Sequence, residues 1–137
     1  MDTKPKIGMK KKFDTWNEIK KQTDERTDRL LYKKREIRWC KLGVNVGFEQ
    51  DGTGEGFSRP VLILKDFNQH VCLAVPLTTS QKNNPYHVKI GFFDSSEESS
   101  AIISQLRLID TKRLYKKIAT LDEETFDKVI KSIKDML

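Results

Sequence analysis

The hydrophobic pattern changes period along the chain. Residues 61–64 and 71–75 are two short, continuous runs of Val, Leu, Ile, Ala and Cys separated by Asp66, Phe67, Asn68 and Gln69, which predicts a strand, a loop and a returning strand. With Lys65 opposite His70 across a four-residue loop, Arg59 stands opposite Pro76 and diagonal to Thr78. Pro60 restricts Arg59 to extended backbone, so its side chain leaves the sheet in a defined direction. Residues 36–42 alternate as a first strand, 86–92 form a further strand, and 100–108 read as another, with a helical turn at 110–114. Helical spacing marks both ends of the chain. Phe13, Trp16, Ile19, Thr23, Leu30 and Leu31 trace a thin apolar stripe over 13–32, and Phe126, Val129, Ile130, Ile133 and Met136 trace a second over 122–136, with Thr120 or Asp122 as N-cap.

Five or so short strands and a closing helix within about 100 residues predict a mainly β domain with flanking helices, a small barrel or compact antiparallel sheet. The 137-residue chain carries 34% charged residues, above the usual quarter, so part of it is solvated. That excess sits at the start. Residues 1–34 hold 11 Lys or Arg against 6 Asp or Glu, a net of +5, and residues 35–137 hold 15 against 14, a net of +1. The chain therefore divides into a basic helical extension, 1–34, and a nearly neutral domain, 35–137. The extension's stripe rests either on its own domain or on a second protein, and its charge suits nucleic acid or an acidic partner. Cys40 and Cys72 lie inside strand-like runs without metal-ligand spacing, which predicts buried, reduced thiols. With no signal peptide and no long apolar run, a cytoplasmic location and no membrane contact are expected.

The candidate chemistry gathers around the central hairpin. Residues 43–58 hold five of the seven glycines and also Glu49 and Gln50, a loop that permits close backbone approach to a ligand. No Lys-Ser/Thr pair follows it, so it is not a nucleotide-binding P-loop. Thr79, Ser80, Gln81 and Lys82 add hydroxyls, an amide and a cation. Together with Arg59 and Thr78 these would make a concave site for a phosphodiester, because a guanidinium fork and a hydroxyl both stabilise the charge of a phosphorane transition state. No cluster of carboxylates has metal-ligand character. A reaction without metal or other cofactor is the expectation.

The segments Gly47-Phe48-Glu49-Gln50, Arg59-Pro60-Val61-Leu62-Ile63-Leu64, Val75-Pro76-Leu77-Thr78, Pro85-Tyr86-His87-Val88 and the run from Gln105 to Leu114 resemble, in order, those of the MazF/PemK toxins of type II toxin-antitoxin modules. The resemblance covers residues 36–137. It implies an SH3-like antiparallel β-barrel with a C-terminal helix, here with an added N-terminal amphipathic helix. It also implies a homodimeric endoribonuclease that cuts single-stranded RNA by attack of the 2′-hydroxyl, leaving 2′,3′-cyclic phosphate and 5′-hydroxyl ends, and that a cognate antitoxin neutralises. On this resemblance Arg59 and Thr78 are catalytic, and Phe48, Glu49, Gln50, Thr79, Ser80, Gln81, Lys82, His87 and Gln105 bind RNA, with Glu49, His87 and water open as the general base. Phe48 stands where a serine is common, the loop before Arg59 is longer than usual, and the basic extension has no counterpart in short members.

Two other readings use the same fold. A CcdB-like toxin would poison gyrase by protein contact alone, and a catalytically silent module would bind RNA without consuming it. Arg59 and Thr78 beside a polar loop favour RNA chemistry. The antitoxin segment is expected over the 43–58 and 79–85 loops.

Overall fold

In the computed structural model, which describes residues 12–26, 31–43, 57–80, 83–93 and 97–137, the chain runs α1 (Phe13–Asp24), β1 (Glu36–Lys41), β2 (Ser58–Asp66), β3 (Val71–Thr78), β4 (His87–Gly91), β5 (Ser99–Ile102), β6 (Arg107–Asp110), β7 (Leu114–Thr120) and α2 (Glu123–Met136), with 3₁₀ turns at Ile103–Gln105 and Thr111–Arg113. The strands form one seven-stranded antiparallel sheet in the order β4-β5-β3-β2-β1-β7, and β6 also pairs with β3. The described ladders end at β4 and β7 without joining those two strands, so the sheet is open. The architecture is the mainly β one, with flanking helices, that the sequence predicts.

Alternation sends side chains to two faces, and each face has its own core. Ile37, Leu62, Leu64, Val75, Leu77, Val88, Ala101 and Ile103 form one cluster, closed by Phe126 and Val129 of α2. Cys40, Val61, Ile63, Cys72, Ala74, Ile109 and Leu114 form the other. Helix α2 begins where Asp122 accepts hydrogen bonds from the Thr125 N–H and hydroxyl at 2.9 and 3.0 Å. These contacts and the nearby Arg35 charge hold the Asp122 carboxyl below its usual range.

The central hairpin differs from expectation in register. Its pairs are Val61↔Pro76, Leu62↔Val75 and Ile63↔Ala74, then Lys65↔Leu73 and Asp66↔Cys72 after a bulge. His70 does not pair with Lys65, because Asn68 Oδ1 captures the N–H groups of His70 (2.7 Å) and Val71 (3.0 Å) in the turn. Extending the inner register puts Arg59 opposite Thr78, not Pro76. Up to the bulge the displacement is two residues, an even number, so Arg59 and Thr78 keep the face expected of them.

Three other expectations change. The segment expected as one strand over 100–108 is two strands broken by Ile103–Gln105, which lets β5 pair with residues 77–78 of β3 and β6 with residues 71–74. Strand β7 is an addition to the expected elements; it pairs with β1 through two register shifts, so Leu114 and Ile118, although an even four residues apart, pack against opposite cores. Helix α1 ends at Asp24, and Leu31, expected on its stripe, is 94% exposed.

Helix α1 lies on its own domain. Trp16 is buried, its ring centroid 5.9 Å from that of Phe57 and the Arg113 guanidinium 5.9 Å from its ring. Arg26 Nη1 donates to the Lys112 carbonyl at 2.6 Å, and Lys112 Nζ donates to the Asp24 carbonyl at 2.9 Å. A cation at that C-terminal carbonyl also suits the helix dipole.

Candidate active site

One end of the second face is polar. Arg59 alternates with Val61 and Ile63 on β2, so it shares their face, and Cys40 of β1 stands opposite it. Thr78 lies two residues beyond Pro76, the partner of Val61, and therefore projects to the same side. Both are buried, Arg59 to 5% and Thr78 to 8% exposure. Arg59 Nη1 donates to the Leu77 carbonyl at 3.1 Å, which holds the guanidinium at the peptide that carries Thr78. Thr78 Oγ1 in turn accepts from the Ser80 N–H at 3.1 Å, fixing the hydroxyl as the chain leaves the strand.

The neighbouring strands extend this polar end. Ser100 of β5 pairs with Thr78, and Lys89 of β4 pairs with Ser100. His87, paired with Ile102, reaches the same face. From the other half of β3, Arg107 pairs with Ala74 and is on that face too. The register thus gathers Arg59, Thr78, Ser100, Lys89, His87 and Arg107. Ser100 was not singled out from sequence, although strand alternation across β3 and β5 exposes it once the pairing is known. Lys89 also meets Glu98 at 3.6 Å.

Thr79 and Ser80 follow directly after Thr78 and are half-buried. Gln105 closes the 3₁₀ turn between β5 and β6, two residues before Arg107, at the edge of this cluster. Phe48, Glu49, Gln50, Gln81 and Lys82 lie outside the described residues.

The electrostatics of this end are set by crowded guanidinium groups. Burial, and then the charge of Arg107, depress the Arg113 pKa. Arg113 Nη1 donates to the carbonyls of Lys41 and Leu42 at 3.3 and 3.4 Å, beside the strand position that faces Arg59. Burial raises the Cys40 thiol to about 12 against the opposing pull of Arg113 and Arg107, which leaves it a neutral apolar filler. Cys72, pushed to about 12 by burial and by Asp110 and Asp66, is equally inert. Among the described residues, no three metal-ligating side chains come together. The arrangement suits an anion: guanidinium groups held by backbone carbonyls beside a buried hydroxyl, where a developing negative charge is stabilised strongly.

The neck of the Gly-rich loop is fixed next to this site. Gly43 N–H donates to the Phe57 carbonyl at 2.9 Å, and both residues have positive φ, +81° and +52°. A side chain at residue 43 would collide with the Trp16 indole, so glycine is required twice over, for conformation and for space.

Comparison with known proteins gives a consistent picture. Residues 33–137 match the family model described as PemK-like, MazF-like toxin of type II toxin-antitoxin system. The chain is 30% identical over 113 residues to Endoribonuclease EndoA of Bacillus subtilis (strain 168), a match covering 77% of this chain and 93% of that protein. Its fold is similar to that of MazF (form I) from Deinococcus radiodurans, with a TM-score of 0.65, 18% identity and coverage of 78% of this chain and 96% of that one. A MazE-MazF complex (form II) from the same organism matches with a TM-score of 0.59, 17% identity and coverage of 78% and 95%.

Proposed function

The chain belongs to the PemK-like, MazF-like toxins of type II toxin-antitoxin systems, and from that membership we propose that it is an endoribonuclease that cuts single-stranded RNA and is held inactive by a cognate antitoxin. The observation that carries this reading is the convergence of Arg59 and Thr78 on one face, with the guanidinium anchored at the Leu77 carbonyl. The relative named as an endoribonuclease and the antitoxin complex among proteins of similar fold support it.

In this mechanism the 2′-oxygen of the nucleotide attacks the adjacent phosphorus as the bond to the 5′-oxygen breaks. The products are a 2′,3′-cyclic phosphate and a 5′-hydroxyl; one proton leaves the 2′-hydroxyl and one joins the 5′-oxygen, with no water consumed. The nucleophile is already part of the substrate, so the protein's task is alignment, charge stabilisation and proton transfer. Arg59 hardly deprotonates and acts as the charge-stabilising fork on the non-bridging oxygens, and Thr78 supplies a further donor. His87 shares the face of Arg59 and stands with Glu49 and water as the candidate base. No step draws on a metal ion, because Arg59 provides the positive charge.

We further propose that the active form is a homodimer, with Leu108, 57% exposed on β6, among the apolar side chains available to a second copy. The functional reading is tested with defined single-stranded RNA in EDTA, by mapping the 5′ ends and the terminal phosphates of the fragments. Cuts at a short recurring sequence, with cyclic phosphate ends, and none when the nucleotide 5′ to the cut is 2′-deoxy, are expected. Cleavage of the 2′-deoxy substrate, or RNA recovered whole, would overturn it.

A further inference from the structure

A cleft of about 290 Å³ opens between α1 and the turn Thr111–Arg113, lined by Lys20, Lys21 and Asp24 on the helix side and by Asp110, Lys112 and Arg113 on the other. We propose that this cleft is a track for the sugar–phosphate backbone of the RNA strand outside the cleaved linkage, an inference that rests on the ribonuclease reading above.

The charge points to it first. Four cations and two carboxylates line the cleft, a net of +2. Asp110 Oδ1 accepts the Lys112 N–H at 2.8 Å, which ties that carboxylate to the turn. The basic extension supplies five of the chain's six net positive charges, and its helix brings two lysines here.

Continuity with the site points to it next. Arg113 touches the carbonyls of Lys41 and Leu42, Cys40 precedes them on β1, and Arg59 stands opposite Cys40. Arg107 lies close enough to depress Arg113. Arg113 is thus shared by a row of cations: it lies beside the strand position opposite Arg59, and it lines the cleft with Lys112, Lys20 and Lys21. A polyanionic strand held at Arg59 meets this row as it leaves, and such contacts carry affinity without reading sequence.

The lining does not suit a protein segment. Trp16 is its one large apolar side chain, and that ring is already covered by Phe57 and Arg113. With Trp16 buried, an amphipathic peptide would find no large apolar side chain exposed as an anchor partner, whereas phosphates need none.

The test measures binding of the full-length chain to a 2′-O-methyl RNA of about twenty nucleotides and to one of about six, by fluorescence anisotropy across a salt series. Lys20→Gln/Lys21→Gln should lower affinity for the longer RNA ~25-fold at 0.1 M salt and flatten its salt slope by about 1.4, since each single-strand phosphate contact contributes roughly 0.7. Affinity for the short RNA should stay within about twofold. Lys128→Gln/Lys134→Gln, on exposed positions of α2, should leave both unchanged, and circular dichroism should show all variants folded. Undiminished affinity for the longer RNA, an equal loss from the α2 pair, or a loss confined to antitoxin binding would overturn the proposal, the last by assigning the cleft to a protein. The RNA here cannot undergo 2′-hydroxyl attack, so the result does not depend on cleavage. Failure of the ribonuclease reading would show separately, as intact natural RNA.

Discussion

Replacing Gly43 by alanine separates two costs that coincide at this residue. At φ +81° an alanine bears left-handed strain of about 1–2 kcal/mol. Its Cβ would also lie 2.5 Å from Trp16 Nε1 and nearer still to Cε2 and Cζ2, far inside ordinary carbon contact. Trp16 is hemmed in by Phe57 and Arg113, so relief requires the indole, and α1 with it, to shift. Overpacking of that sort adds about 1–3 kcal/mol. The total, ~2–5 kcal/mol, is bounded by full loss of the Trp16 contact, about 3–5 kcal/mol for Trp16→Ala. Gly91 is the internal control, with φ +92° and nothing within 4 Å of an added Cβ. Gly91→Ala should therefore cost only the strain. Urea unfolding followed by circular dichroism gives each ΔΔG, and adding Gly43→Ala to Trp16→Ala closes a double-mutant cycle with a coupling of about 1–3 kcal/mol. Equal effects at the two glycines, or a cycle without coupling, would refute the placement of α1 on the loop neck.

Three further outcomes follow from other parts of the structure. Burial pushes the Glu36 carboxyl up, but the Arg38 side chain at 2.8 Å, the Lys33 N–H at 3.1 Å and the Arg38 and Lys117 charges outweigh it and hold the pKa below 4.5. A depressed carboxylate stabilises the fold above its unfolded pKa and loses that contribution as pH falls through its folded value, so Glu36→Gln should cost about 1–3 kcal/mol at pH 7 and flatten the loss of stability below pH 4.5. Cys40 and Cys72, both raised to about 12, should resist a thiol-specific disulfide reagent at pH 8 until the protein unfolds, when two thiols react; rapid reaction of the folded chain would contradict their burial. Thr78→Val removes one donor and should slow single-turnover RNA cleavage by about 10²-fold with little change in melting temperature, and a rate within threefold of the native one would remove Thr78 from the mechanism.

The central hairpin was legible because its two strands are continuous apolar runs with opposed turn signals. Its register was not, since the Asn68 side chain and the bulge after Ile63 set it, and neither leaves a mark on hydrophobic period. The face of Arg59 and Thr78 survived because the displacement was even. Strand β7 is not legible in the sequence because its irregular pairing with β1 decouples Leu114 and Ile118 from simple alternation. The convergence of Arg59 and Thr78 was legible from the hairpin and from their chemistry, and their catalytic roles came from motifs that resemble a family. Ser100, Arg113 and the seat of Trp16 depend on contacts between segments far apart in sequence, and no local pattern encodes those.

The account stands on Arg59 as the fixed cation at the scissile phosphate. The direct measurement is single-turnover cleavage of one labelled single-stranded RNA in EDTA by the native chain and by Arg59→Ala, at protein concentrations that saturate both. A fall in rate of 10²–10³-fold or more, with the melting temperature and RNA binding retained, is the predicted result. A rate within tenfold of the native one would contradict it.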